Sequence, residues 1–486
     1  MAPSNDIMTD VPGTVYLVDA SGSLDAARSG RDILLVPQPT PSQADPLNWP
    51  KYKKYWSLFL ISAYACIMSF GENNWGAAWT TISEETGVTL NNMNGGSALN
   101  YLLLGFVNII WIPSAMKFGR KIVYILSLLF ILAGGVWGGF FEGTAQYYLM
   151  MVVTGIGTAA YQALIQLTAI LILLFIFTFD DTMFPRYRFR NQTSTEPSKH
   201  EKTAQPSPTK DEKDQKPDPN LTITASHSAG EISMPPRTYL QQLAPIHYFK
   251  DDQTTWFQYF RRPFYLFLFP NIVLAGIQFA FGCTAGIVSF NTISEIMTEP
   301  PYNWSAGSAG LLFLAALVGN FIGMAIGSLS DYLVLTLTRR NKGYKEPEMR
   351  LYAYIFSLPL AAVGYFTYGW GATAGSHWMA IAVGLCCMIA QQVSATSIAT
   401  AYAMECFDQI SGELVIVLAI CSSVINFAIS FSVQNFIDAT SYGWTFTFYG
   451  IWVILSMVMG APMIVWGKSW RRRCKGRYEA FLAEMR

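Results

Sequence analysis

The chain has 486 residues, of which 52% are hydrophobic and 13% charged, and its mean hydropathy is +0.28. A soluble domain carries about 25% charged residues, so this composition points to an all-α, polytopic membrane protein. Lys plus Arg and Asp plus Glu balance at 32 each and the four histidines are scattered, which leaves no basic footprint for nucleic acid.

Residues 1–54 are polar and rich in Pro, Ser and Asp. They read as a cytoplasmic tail without a cleavable signal, so the first span directs insertion. Apolar runs of spanning length follow near 55–79, 99–118, 122–141 and 147–179, making an N-terminal bundle over 55–179. Residues 180–262, rich in Pro, Ser, Thr, Lys and Asp over most of their length, read as a disordered central loop. Runs resume near 263–290, 310–337, 351–371, 378–404, 412–437 and 442–467, a C-terminal six-helix bundle over 263–470. Residues 471–486 form a second cytoplasmic tail. The count is about four spans plus six.

Positive charge sets the orientation. Lys51, Lys53 and Lys54 precede the first span, Lys117, Arg120 and Lys121 join the second and third, and Arg186 to Arg190 follow the fourth. Arg339, Arg340, Lys342 and Arg350 follow the sixth, and Lys468 with Arg471 to Arg473 the last. The opposite loops (80–98, 142–146, 291–305, 372–377, 438–441) contain neither Lys nor Arg. Both termini therefore read as cytoplasmic, with the plasma membrane as the expected location.

The fourth run breaks the pattern. Tyr147 to Phe179 carries no charge, and from Thr158 onward it lacks Gly, Pro, Asn and Ser. As one helix it would be about 50 Å long, against a bilayer core of about 30 Å. Charge alternation closes only if it crosses the membrane an odd number of times.

Several motifs resemble the major facilitator superfamily. Met116-Lys117-Phe118-Gly119-Arg120-Lys121 resembles its helix 2–3 loop signature, and Gly327-Ser328-Leu329-Ser330-Asp331, with Arg339 and Arg340 beyond, resembles the same signature in the second half. Asp45-Pro-Leu-Asn-Trp-Pro50, Pro300-Pro-Tyr-Asn-Trp304, Glu346-Pro-Glu-Met-Arg350 and Ile410-Ser-Gly-Glu413 are similar to fungal members of the drug:proton antiporter branch. Against that family, Tyr147 to Ala169 resembles the fourth helix and Ile170 to Arg186 the end of the sixth. A loop and a fifth helix of about fifty residues are then missing, so ten spans stand where the family has twelve.

The resemblance implies two bundles rocking about a site near the bilayer midplane, with a small organic substrate, protons as the coupling partner and the lipid bilayer as surroundings. Such a site needs polar groups on apolar helices. The candidates are Glu72, Asn73, Asn74, Asn108, Gln162 and Gln166 in the first half, and Asn271, Gln278, Asn320, Gln391, Gln392 and Asn426 in the second. Each amide has a plainer reading as an interhelical hydrogen bond worth about 0.6–2 kcal/mol. Glu72 is the sole acid well inside an expected span and the first candidate for proton coupling. Its depth, about 24 Å along the first helix, weakens that assignment and favours a snorkelling or ion-paired carboxylate.

A cytoplasmic gate is expected from Lys117, Gly119, Arg120 and Lys121 facing Asp408 and Glu413, with Asp331, Arg339 and Arg340 as the second-half counterpart. An Arg120–Glu413 clasp is one form of it; topology alone also accounts for the basic cluster. Gly319, Gly323 and Gly327 share one helix face and read as a close-packing stripe. No residue group has metal-ligand spacing and no nucleophile has an evident base, so neither metal, cofactor nor enzyme activity is expected. Export of small organic compounds competes with a second reading, a transporter-like protein that lacks its fifth helix and serves as sensor or partner.

Overall fold

A computed structural model describes residues 11–16, 28–29, 33–34, 48–60, 79–158 and 255–484. Among these, eight helices are long and apolar enough to cross a membrane. Residues 61–78 and 159–254 lie outside the described set, so most of the first span and the distal part of the unbroken run do too.

The first described half holds α1 (Trp79–Thr86), α2 (Leu90–Phe118), α3 (Arg120–Trp137) and α4 (Gly143–Thr158). The second holds α5 (Trp256–Tyr265), α6 (Pro270–Thr298), α7 (Phe313–Arg340), α8 (Tyr354–Thr373), α9 (Trp378–Cys406), α10 (Ser411–Ala439), α11 (Tyr442–Val458) and α12 (Gly460–Glu484). Their ends divide into a basic end of the molecule and a cation-free end, as the loop charges require.

Several boundaries differ from those read off hydropathy. Helix α2 starts nine residues before 99, because Thr89 caps it by accepting from the Asn92 N–H at 3.3 Å. Its first turns are amide- and glycine-rich, yet Met93, Asn94, Gly96 and Ala98 are buried by neighbouring helices. Helix α6 starts at Pro270 after a 3-10 turn over Leu266–Leu268, since proline suits a first helical position. It then runs to Thr298, past the expected end at 290. The central segment expected as loop to 262 is helical from Trp256, where Thr255 and Gln258 form a capping box. Helix α12 passes the expected edge at 470, because Arg471, Cys474, Tyr478 and Phe481 repeat at three- and four-residue spacing on a buried face.

Glycines set the close approaches. Gly119, at φ 101°, is at once the C-cap of α2 and the N-cap of α3, a joint that a side chain would strain. The α7 stripe packs inside its own half, against α9. A Cβ on Gly319 would overlap the Cys386 carbonyl, and one on Gly323 would lie 2.7 Å from that of Ala390. The packing reading of the stripe holds, with α9 as its partner. The opposite face of α7 stays open, with Leu314, Leu317, Val318 and Phe321 exposed.

At the basic end, charged side chains tie α7, α9 and α12 to the 3-10 helix Pro347–Ala353 that leads into α8. Arg350 reaches Asp331 and Glu405, both at 2.6 Å, and Lys345 meets the same Glu405 carboxylate at 2.9 Å. Arg471 is fully buried and grips Glu348 through Nε at 2.9 Å and Nη2 at 2.6 Å. Onto this cluster the chain folds its own segment Val11–Tyr16. Val15 and Tyr16 pair antiparallel with Lys345 and Tyr344. Arg471 donates to the Pro12 carbonyl and to Thr14 Oγ1, the latter at 3.4 Å. Gly13, at φ 77°, lies against the carbonyls of Glu405 and Cys406, where a Cβ has no room. Part of the polar segment expected as a tail is thus a structural strap on the second half.

Substituting Gly13→Val should lift the strap through both its φ and its missing clearance, at a cost of about 1–3 kcal/mol. The expected result is a lower melting midpoint of the purified protein in detergent. An unchanged midpoint would contradict the docking.

Candidate functional site

The halves meet along α2 and α10. Helix α10 presents Ser423, Asn426, Ser430 and Gln434 at three- and four-residue spacing, one polar stripe on one face. All four are buried. Opposite them, α2 contributes Gly105 at mid-length and Asn94 near the cation-free end. A Cβ on Gly105 would overlap the Ser423 hydroxyl, so glycine is what lets the two backbones approach. Towards the cation-free end, Asn94 Nδ2 donates to Gln434 Oε1 at 3.4 Å, and Ser430 Oγ donates to the Asn94 carbonyl at 3.5 Å. Asn291 of α6 joins through Ser430 at 3.4 Å.

Several buried atoms of this seam have no hydrogen-bond partner among the described residues: Asn94 Oδ1, Ser423 Oγ and Asn426 Oδ1. A buried unpaired polar atom costs about 1–3 kcal/mol. The helix pair bears three of them, so the contact is closed at a polar cost. Inside the second half, Gln391 is fully buried with both amide atoms unpaired. These are the groups that a solute passing between the halves could satisfy.

The sequence-derived candidates separate on this geometry. Asn426 lies on the seam and donates to Ser422 Oγ at 2.8 Å. Asn108, also on α2, donates to its own helix at the Leu104 carbonyl, 2.7 Å away. Gln392 Oε1 accepts from the Gly286 N–H at 2.6 Å, joining α9 to α6. Gln278 bridges the Ser456 carbonyl and the Tyr354 hydroxyl at 3.2 Å each, the plain interhelical role. Asn271 does the same with Tyr402 at 2.8 Å and Gly467 at 3.3 Å. Asn320 is half-buried on α7. Glu72, Asn73, Asn74, Gln162 and Gln166 lie outside the described residues.

Of the gate candidates, Asp331 pairs with Arg350, while Arg339, Arg340 and Asp408 are exposed. Lys121 is buried at the start of α3, and Lys117 and Arg120 flank the Gly119 joint. Glu413 is buried at the start of α10, where Gly412 lies near the Met116 thioether. The cation acting on Glu413 is Arg262 of α5, which also donates to the Glu484 carbonyl at 3.0 Å. Helix α5 is a further bridge between the halves, since Trp256 Nε1 donates to Ser114 Oγ of α2 at 3.2 Å.

Hydropathy missed Asn94, Asn291, Glu295 and Gln434. The first three sit in turns assigned to loops, because polar residues lower the window average even where a helix continues. The signal available was the spacing of Ser423, Asn426, Ser430 and Gln434, which places all four on one face.

No family model matches the chain. It is 24% identical to an uncharacterized MFS-type transporter of Schizosaccharomyces pombe, over 97% of this chain and 94% of the relative. It is 22% identical to protein HOL1 of Saccharomyces cerevisiae, over 92% of each. The chain is a homologue of the fungal major facilitator transporters. A segment matches the efflux pump vrtL of Penicillium aethiopicum at 26% identity, over 45% of this transporter and 43% of the pump. In the S. pombe alignment about 471 residues of this transporter occupy 553 aligned positions, so it has gaps at about 82 of them.

Valine at Gly105 should wedge α2 from α10. In the full-length transporter carrying Asn94→Cys and Gln434→Cys, oxidative cross-linking between halves should fall several-fold once Gly105→Val is added. Equal cross-linking would show that the close approach does not depend on this glycine.

Proposed function

We propose that this major facilitator transporter exports small organic compounds in exchange for protons, by alternating access between its two halves. The observation that carries the reading is the α2–α10 seam, a buried helix contact lined by polar atoms that the contact itself leaves unpaired. Such a contact is marginal by construction. It can close without a substrate and open for water or a polar solute at modest cost. The direction is supported by the segment shared with an efflux pump.

In this reading the basic end faces the cytoplasm with both termini, in the plasma membrane, following the distribution of Lys and Arg. The substrate path runs past Asn426 and the Gln391–Gln392 pair, joined by Asn108 and Asn320 of the described residues. Glu72, Asn73, Asn74, Gln162 and Gln166 complete it from the first half. The cytoplasmic gate consists of the Lys117–Lys121 joint, the Asp331–Arg350–Glu405 cluster with Arg339 and Arg340 at its rim, and Asp408 with the Glu413–Arg262 contact.

The gaps against the S. pombe relative support a second reading, a shortened form that no longer transports. They exceed the roughly fifty residues of one loop and one helix. Sequencing the transcript across the codons for Leu167 to Leu171 separates the two readings. If mature message encodes a further stretch there, this chain is a shortened form of a full transporter.

The transport reading is tested with the protein in vesicles. Uptake of a lipophilic cationic dye into inside-out vesicles should follow an imposed pH gradient and collapse with a protonophore. Gradient-independent uptake, equal to that of empty vesicles, would overturn it.

A further inference from the structure

The cation-free end of the seam holds an acid that no loop charge answers. Glu295 sits on the last turns of α6, half-buried, eight residues beyond Ile287 on the helix that packs between α9 and α10. Gln434 Nε2 lies 3.4 Å and 3.3 Å from its two carboxylate oxygens, and 3.2 Å from Asp438 Oδ1. The Tyr442 hydroxyl of α11 faces the same carboxylate. The other face of the Gln434 amide accepts from Asn94 of the first half. One side chain, Gln434, therefore touches both the acid and the contact between halves.

Among the described residues, every charged group that acts on this site is an acid. Glu299 caps the end of α6 one turn later, and Asp438 follows Gln434 on α10. Helix α1, packed against α6, adds the exposed Glu84 and Glu85. From α2 comes only the neutral Asn94, and from α11 only Tyr442. The loops at this end contain neither Lys nor Arg, and their one titratable base is His377, at the start of α9. Residues 61–78, which include Glu72, contain no Lys, Arg or His either.

We propose that Glu295 is the proton-binding group that gates the cation-free end of the seam between the halves. Neutral Glu295 fits the closed seam, because a protonated carboxyl carries no charge to desolvate and still accepts from Gln434. Ionised Glu295, half-buried, is repelled by the exposed Glu299 and Asp438 beside it, with no cation among the described residues acting on it. That state is relieved by admitting water, which parts Gln434 from Asn94. Losing the proton thus opens this end and binding one closes it. The step is a bare proton exchange between a carboxyl oxygen and water. The proposal rests on the transport reading for its purpose, and its geometry stands without it.

The test measures seam opening directly, in the full-length protein in detergent and in vesicles. Ser430→Cys provides the probe, labelled by a membrane-impermeant maleimide at a series of pH values and corrected for the reagent's own pH dependence. Labelling should speed several-fold from acidic to neutral pH, and adding Glu295→Gln, which keeps the shape without the proton exchange, should hold it slow throughout. Glu295→Asp should keep the response with a shifted midpoint. A pH response unchanged in Glu295→Gln overturns the proposal, as does an unmoved midpoint in Glu295→Asp should the glutamine variant fail to fold. If labelling follows Glu295 while vesicles show no pH-driven uptake, the proton gate stands and the transport reading fails. If uptake stays fully proton-coupled in Glu295→Gln, the transport reading stands and this gate does not.

Discussion

Close backbone approach between α2 and α10, allowed by Gly105 against Ser423, is the contact on which the arrangement of the two halves depends. Lipid tails are as apolar as leucine, so helices in a bilayer gain little from hydrophobic burial and associate through packing and polar contacts. Gly105 supplies the packing, and the stripe from Ser423 to Gln434 supplies the polar contacts. The same stripe leaves two atoms unpaired, Ser423 Oγ and Asn426 Oδ1, which weakens the contact. In the transport reading proposed above, stability and movement between the halves draw on the same few residues.

The second half is built by a different rule. Its helices lock through glycine seats, as Gly319 and Gly323 of α7 do on α9, and Gly384 of α9 does on Tyr368 of α8. Its basic end is closed by paired charges: Arg350 with Asp331 and Glu405, and Arg471 with Glu348. Breaking one partner of a buried pair such as Arg471–Glu348 costs about 3–5 kcal/mol, so that pair suits a rigid unit better than a hinge. The strap from Val11 to Tyr16 belongs to that unit, since it supplies acceptors to a guanidinium that is fully out of water. Residues before the first span of one half therefore help complete the other. The second half carries Gln434 and Glu295 together, and the gate proposed above has Asn94 of the first half part from that pair.

Much of this was legible in the residue order. The membrane class, the helices near 122–141, 310–337, 378–404 and 412–437, the clustering of Lys and Arg at alternate ends and the small-residue packing of α7 follow from composition and spacing. Asn426, singled out as a polar residue on an apolar helix, is buried in the seam. Hydropathy averages blurred the ends, because Asn91 to Gly96 and Asn291 to Glu295 are too polar to register as membrane helix until a partner helix buries them. Gln278 and Asn271 look the same as Asn426 in sequence. Only their neighbours, Ser456, Tyr354, Tyr402 and Gly467, show that they hold one half together.

By itself, then, the sequence determined that this chain threads a membrane, which ends of its helices bear cations, and which side chains are polar enough to need a reason for being there. Local rules suffice for that: transfer cost per residue, helical period, and charge beside each span. Tertiary structure alone decided which polar groups answer one another. It set Gln434 between Glu295 and Asn94, brought the charge of Arg262 to act on Glu413, and put Arg471 beside Pro12 and Thr14. These partners are more than a hundred residues apart in most cases, and nothing in local spacing encodes so distant a match. Chain topology brings them together, and the cost of an unpaired polar group in a dry interior selects which of them can stay.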